Sequence, residues 1–252
     1  MKRALSTYAA LAYAFLYVPL LILIAFSFNQ SRFTIWTGFS LTWYRAVFAN
    51  TEMAEAAWNS VIIAIVSSAL SAVIGTLAAY GMWKRRSPTL SAGLYLSLVT
   101  PEIVTGISLL AFYQLIFRVI HLTLGMWTVI LAHVAFSVAY VAIVVAARLR
   151  TFDPALEEAA LDLGATPWRA FTKVTLPSLW PGIIAAALLA LTVSFDDYVI
   201  TSLVAGVDSE TLPMVIYAVA RRGANPAINA VSAIIVVVLG ALIVVSERIR
   251  GK

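Results

Sequence analysis

The chain has 252 residues, of which 62% are hydrophobic and only 12% charged, and its mean hydropathy is +0.94. Soluble domains carry roughly 25% charge, so these proportions exclude an ordinary soluble fold and point to an integral membrane protein. The net charge of +5 does not point to nucleic acid, because the basic residues fall in short clusters between apolar runs, and the lack of cysteine excludes disulfides, thiol nucleophiles and cysteine-based metal sites.

Six apolar runs are predicted to cross the membrane, roughly 8–28, 58–82, 90–114, 127–147, 179–203 and 228–246. Each is near the ~20 residues that span a ~30 Å hydrocarbon core at ~1.5 Å rise. The first follows Lys2-Arg3 as a signal peptide would, but it exceeds the roughly 7–15 apolar residues of a signal core, so it is read as an uncleaved span. The expectation is an all-α, polytopic chain forming a single transmembrane domain over 1–252.

Basic residues set the orientation. On one side of the runs lie Lys2, Arg3, Lys84, Arg85, Arg86, Arg148, Arg150, Arg169, Lys173, Arg248, Arg250 and Lys252; on the other lie only Arg32, Arg45, Arg118, Arg221 and Arg222. Both termini are therefore expected in the cytoplasm. The first external loop, 29–57, carries Phe33, Trp36, Phe39, Trp43, Tyr44 and Phe48. Such residues suit an interfacial aromatic belt, a docking surface for an extracytoplasmic partner, or both.

The second run is rich in Ser, Ala and Gly, which lets neighbouring helices approach closely in lipid, where packing drives association. The third contains Thr100-Pro101-Glu102, so proline interrupts it near mid-membrane beside a carboxylate. No internal repeat is evident, which argues against a secondary transporter built from inverted halves.

Three acids fall within the runs: Glu102 in the third, and Asp196 and Asp197 in the fifth. Each costs about 2.5–3.5 kcal/mol at mid-bilayer on insertion scales, so a polar cavity or a protein partner suits them better than lipid. Glu102 lies about 12 residues (~18 Å) from the cytoplasmic end of its run and Asp196 about 15 residues (~22 Å) from its own, comparable depths along one pathway. Asp197 shares a face with Ser194 and Thr201 and is favoured for the lumen; Asp196 is left for a subunit interface. With Tyr198 beside them, these acids would suit a long cation by charge and cation–π attraction. The bland alternative is that they cap kinked helices or bind backbone. His133, with no second histidine nearby in sequence, reads as a hydrogen-bonding core residue rather than a proton relay; His121 suggests nothing definite.

Between the fourth and fifth runs lies Asp153–Pro177, with four of the twelve acids and three prolines. Asp153-Pro154 is a helix start, Glu157 and Glu158 follow in or near the first turn, and Gly164 is a natural stop. Thr166-Pro167 starts a second short helix expected to run to about Val174 and to close at Leu176-Pro177. A surface-lying amphipathic linker is one reading. Against it, Ala159 and Ala160 offer lipid little but permit close contact with a protein.

Glu158-Ala159-Ala160, then Gly164, then Val174-x-Leu176-Pro177 resembles the EAA motif of permease subunits in ATP-binding-cassette importers, with Val174 where isoleucine is usual. The resemblance implies a type I importer (MetI-like) permease fold. Glu158, Ala159, Ala160, Asp162, Gly164, Leu176 and Pro177 would then belong to a coupling helix that docks on a separate ATPase. YAFLYVPLLILIAFSFNQSRF, TPEIVTGISLL, SFDDYVITSLVAG and TLPMVIYAVARRGANPAINA extend the resemblance to spermidine/putrescine permeases of the C- or I-type. It implies polyamine import through the inner membrane, with a homologous permease, an ATPase dimer and an extracytoplasmic binding protein as partners. The pathway would include Glu102, Ser194, Asp196, Asp197, Tyr198 and Thr201. No Walker A pattern occurs, so ATP and Mg are expected on the ATPase and no cofactor or metal on this chain. Rivals are permeases for iron(III), opines or aminophosphonates, and, from another class, a channel or ion-coupled transporter working without an ATPase. No Ser/His/Asp or H-E-x-x-H arrangement supports an enzyme.

Overall fold

The computed structural model describes residues 2–250 except 33, 34, 86, 121, 224 and 225. Phe33, Arg86, His121 and Lys252, named above, lie outside the described residues, as do the side chains of Lys2, Arg3, Arg118, Arg248 and Arg250. The described chain is helical: α1 (Lys2–Ser27), α2 (Thr42–Ala49), α3 (Thr51–Arg85), α4 (Pro88–Val99), α5 (Glu102–Ile120), α6 (Met126–Leu149), α7 (Pro154–Asp162), α8 (Pro167–Ala170), α9 (Leu176–Asp196), α10 (Val199–Val204), α11 (Leu212–Arg221) and α12 (Pro226–Arg250). A π turn, Phe171–Thr175, joins α8 to α9.

The chain divides into two compact units, Met1–Glu55 with Val215–Lys252, and Ala56–Met214. In the first unit α12 packs along α1 and against α2. The loop after α1 is organised by Asn29, whose amide donates to the Ile35 carbonyl (2.8 Å) and accepts from the Thr37 N–H (3.0 Å). The Trp43 indole donates to the Asn29 carbonyl at 2.8 Å, and Phe28 stacks on Phe39. Trp36, Phe39 and Phe48 remain exposed.

The second unit is built on α3, α6 and α9. The buried face of α3 steps every four residues through Ser67, Ser71, Gly75 and Ala79, the helical period of one face. At Gly75 a Cβ would lie 2.7 Å from Val141, so only glycine admits α6 at that distance. Val141, Val145 and Leu149 of α6 pack with Leu179, Ile183, Ala186 and Ala190 of α9; a second cluster joins Ile63, Tyr113, Val129, Ile200 and Val204.

Among the described residues, four helices are long and apolar enough to cross a membrane: Leu5–Ser27, Thr51–Arg85, Met126–Leu149 and Pro167–Asp196. Of the six expected runs, the fifth needs correction. The third is interrupted where expected: α4 and α5 are bent by 108° at Thr100-Pro101. Pro101 withholds its N–H and forces Thr100 into extended backbone (ψ 127°). The fifth ends at Asp196, not 203: Asp197 is extended and α10 starts afresh at Val199. The sixth run, 228–246, falls within α12, Pro226–Arg250.

The segment between α6 and α9 follows its capping signals. Asp153 accepts from the Ala155 N–H at 3.0 Å and Thr166 from the Arg169 N–H at 3.3 Å. Gly164 takes a φ of +86°, and the N–H groups of Gly164 and Ala165 close back on the carbonyls of Leu161 and Ala160, a Schellman turn. The expected closure of the second short helix at Leu176-Pro177 does not occur: α8, the π turn and α9 run on as one helix, Pro167–Asp196. Pro177 has no N–H for the Lys173 carbonyl, and the helix widens into the π turn just before it.

Candidate functional site

Two polar constellations stand out in the second unit. The first lies where α7 meets the end of α3. Glu157 is the buried residue of α7, 2% exposed, whereas Glu158, Ala159 and Asp162 face outward. Glu157 Oε1 accepts from the Tyr80 hydroxyl (2.7 Å) and pairs with Lys84 Nζ (2.7 Å); Oε2 accepts from the Thr175 hydroxyl (2.9 Å). Burial opposes its ionisation, but the bonds from Lys84, Tyr80 and Thr175 together outweigh burial and hold its carboxyl below the ordinary value of 4.5. The Tyr80 ring lies 4.5 Å from that of Phe171, and Lys84 sits 4.9 Å above Trp83. Outward from this centre α7 and its turn display Leu156 and Leu163, the latter 90% exposed, with Trp168 beyond.

The second constellation lies among α3, α6, α9 and α10. His133, fully buried, places Nδ1 2.7 Å from the Ser194 hydroxyl and Nε2 2.9 Å from that of Thr201. Ser194 is 2.9 Å from Ser67, and Thr201 donates through both N–H and hydroxyl to Asp197 Oδ2, each at 2.8 Å. Every group is satisfied if the hydroxyls and the Nε2–H tautomer donate in one direction, from Ser67 through Ser194, His133 and Thr201 to Asp197. Asp197 also receives the Ile200 N–H (3.4 Å), so it caps α10. A cavity of about 240 Å³ opens beside it, lined by Thr100, Glu102, Thr105, Phe136, Tyr140 and Asp197 among others.

The sequence-predicted residues thus separate. Glu102 and Asp197 share this cavity, Glu102 at the exposed first turn of α5. Asp196 is exposed and does not line it; Tyr198 is half-buried. Ser194 and Thr201 are buried against His133. Of the motif residues, Glu158, Ala159, Asp162, Gly164 and Pro177 are exposed, and Ala160 and Leu176 half-buried. Among the described residues no group of three or more His, Cys, Asp or Glu is placed to hold a metal ion.

Residues 71–251 match the profile of the binding-protein-dependent transport system inner membrane component. The chain belongs to this family. It is 37% identical over 251 residues to the spermidine/putrescine transport system permease protein PotC of Haemophilus influenzae, covering 98% of this chain and 96% of that one. It is 41% identical over 237 residues to the putrescine transport system permease protein PotI of Escherichia coli, covering 91% and 84%. The fold is that of solved importer permeases. One from a bacterial alginate importer superposes with a TM-score of 0.73 at 14% identity, covering 99% of this chain and 95% of that one. One from the MetNI methionine transporter gives 0.66 at 21% identity, covering 78% and 94%.

Reading the residues alone had overlooked Glu157, Tyr80, Lys84 and Thr175 as a unit. Lys84 served only as a topological charge and Glu157 only as a first-turn acid. The available signal was the spacing of Tyr80 and Lys84, one helical turn apart at the end of α3. In this permease family member the two constellations share two helices: one meets the end of α3 and the head of α9, the other the middle of α3 and the end of α9.

Proposed function

We infer that this chain is one permease subunit of an ATP-driven importer carrying a polyamine, spermidine or putrescine, inward across the inner membrane. The observation that carries this reading is its 37–41% identity, across nearly the whole chain, to permeases named for those two cargoes. A homologous permease completes the translocation unit, and an extracytoplasmic binding protein delivers the polyamine. An ATPase dimer, which holds ATP and Mg, docks on the segment between α6 and α9. The exposed Leu156 on α7, Leu163 on its turn and Trp168 at the start of α8 favour such docking: large apolar side chains on this segment suit a protein surface. Glu158, Ala159, Ala160, Asp162 and Gly164, with Leu176 and Pro177 at the root of α9, form the coupling segment. Both termini share the cytoplasmic side with this segment, by the excess of Lys and Arg there.

The cavity bearing Glu102 and Asp197 is the part of the pathway this chain contributes. Two carboxylates beside the Tyr140 and Phe136 rings offer charge and π faces to an alkylammonium group. Asp196, Tyr198, Ser194 and Thr201 border it in sequence, Ser194 and Thr201 acting through His133.

The reading is tested by reconstituting the complex in proteoliposomes and following labelled spermidine and putrescine. ATP-dependent accumulation of at least one is expected. Uptake without the ATPase would overturn the coupling, and uptake of iron(III) but of neither polyamine would overturn the cargo.

A further inference from the structure

Glu157 poses a physical question that the function proposed above does not answer. α7 packs against α8 and the π turn, and its other side chains are exposed or half-buried. Its buried link to α3 is a single carboxylate. That carboxylate spans two elements at once: Oε1 is held by Tyr80 and Lys84 at the end of α3, and Oε2 by Thr175 at the head of α9. Burying a carboxylate is costly unless it is paired and hydrogen-bonded, so each of these donors resists withdrawal of α7 from its seat. The donors are themselves held. Tyr80 packs on Phe171, Lys84 lies over Trp83, and Thr175 ends the π turn, a helix irregularity found frequently at functional sites.

The same two helices bear Ser67, at mid-length of α3, and Ser194, near the far end of α9. Those hydroxyls are 2.9 Å apart and begin the donor chain that ends on Asp197 in the acidic cavity. A rigid helix displaced at one point is displaced along its length. We propose that Glu157 is a positioning residue, the pin through which displacement of α7 is passed to α3 and α9 and so to the cavity. It acts on no substrate and touches no nucleotide. The proposal rests on the docking of an ATPase at α7, and its test separates the two.

The test uses the complete importer in proteoliposomes and measures three quantities: ATPase retained on purification, ATP hydrolysed, and polyamine taken up. In Glu157→Ala the outward face of α7 is untouched, so the ATPase stays bound and hydrolysis continues. Uptake per ATP falls about 5- to 100-fold, the span of a coupling free energy between sites. Glu157→Gln, which still accepts from Tyr80, recovers part of that loss. Tyr80→Phe removes one donor and keeps the ring, so it gives a smaller loss of the same kind even if Glu157→Ala assembles poorly. Unchanged uptake per ATP in Glu157→Ala and Tyr80→Phe, or a fall in yield, hydrolysis and uptake together at constant ratio, would make Glu157 a folding contact only and overturn the pin. Leu163→Asp, on the exposed surface, is expected to shed the ATPase. If it keeps both ATPase and uptake, the docking reading fails, whatever Glu157 does.

Discussion

Glu157 and Asp197 are both carboxylates withdrawn from solvent, and the protein satisfies them by different chemistry. Glu157, beyond the spans, has a full cation in Lys84, whose side chain remains 41% exposed. Its long stem reaches a buried partner while the ammonium keeps part of its hydration. Asp197, at the break between α9 and α10, is held by two backbone N–H groups, the Thr201 hydroxyl and the edge of His133, whose Nε2 stands 3.4 Å away. There a second full charge would itself need desolvation, so dipoles replace it. The contrast separates a tether from a site. Glu157 has both oxygens engaged within the chain, whereas Asp197, although capped, still borders an open cavity with Glu102.

The largest expected effect comes from removing the cation. Lys84→Met leaves Glu157 buried with hydroxyl donors only and should cost about 3 kcal/mol, the low end for breaking a buried pair because Lys84 is partly exposed. Thermal unfolding of the detergent-solubilised protein measures it. Adding Glu157→Gln should recover most of the loss, since the stranded charge is then gone. A double variant no more stable than the single one breaks the ion-pair account.

The second test sharpens the Asp197 side. Asp197→Ala removes the cap of α10 and an acceptor of the donor chain, a loss of about 1–3 kcal/mol. Asp197→Asn retains an acceptor oxygen for Thr201 and should stay within about 1 kcal/mol of the parent, yet lower polyamine uptake because the charge facing the cavity is gone. If Asp197→Asn alters neither uptake rate nor the preference between putrescine and spermidine, Asp197 is a cap and nothing more.

The smallest effect is in acid. Because the Glu157 carboxyl is held below its ordinary value of 4.5, its stabilisation is complete above that value. It is lost as pH falls through that range and the carboxyl protonates. Melting temperatures compared between parent and Glu157→Gln should converge as pH drops. A constant difference across that range would mean that charge contributes nothing.

Much of this was legible one residue at a time. Asp153, Gly164 and Thr166 cap where they were expected to, because capping involves groups within a few residues of each other. Pro101 breaks the third run for the same local reason, and Gly75 of α3 admits a neighbouring helix closely, as the abundance of small residues implied. Other features were hidden by the same logic. Capping by the acids of the fifth run stood only as the bland alternative, because the apolar pattern continues through 203 and does not show that α9 ends and Asp197 takes the first N–H groups of α10. Nor could Pro177 be recognised as the cause of a π turn rather than of a stop.

The sequence by itself determined a membrane-embedded, helical chain with a capped, polar segment between two spans, because hydropathy and capping are properties of short stretches. Which of two adjacent glutamates turns inward was decided only in the folded chain. Glu157 and Glu158 differ by ~100° around one helix, and the difference acquires meaning only when α3 brings Tyr80 and Lys84 to one side and the π turn brings Thr175 to the other. The same holds for Asp196 and Asp197, neighbours in sequence, of which only Asp197 meets His133 and Thr201. A buried carboxylate needs several donors from separate helices, and packing alone assembles them.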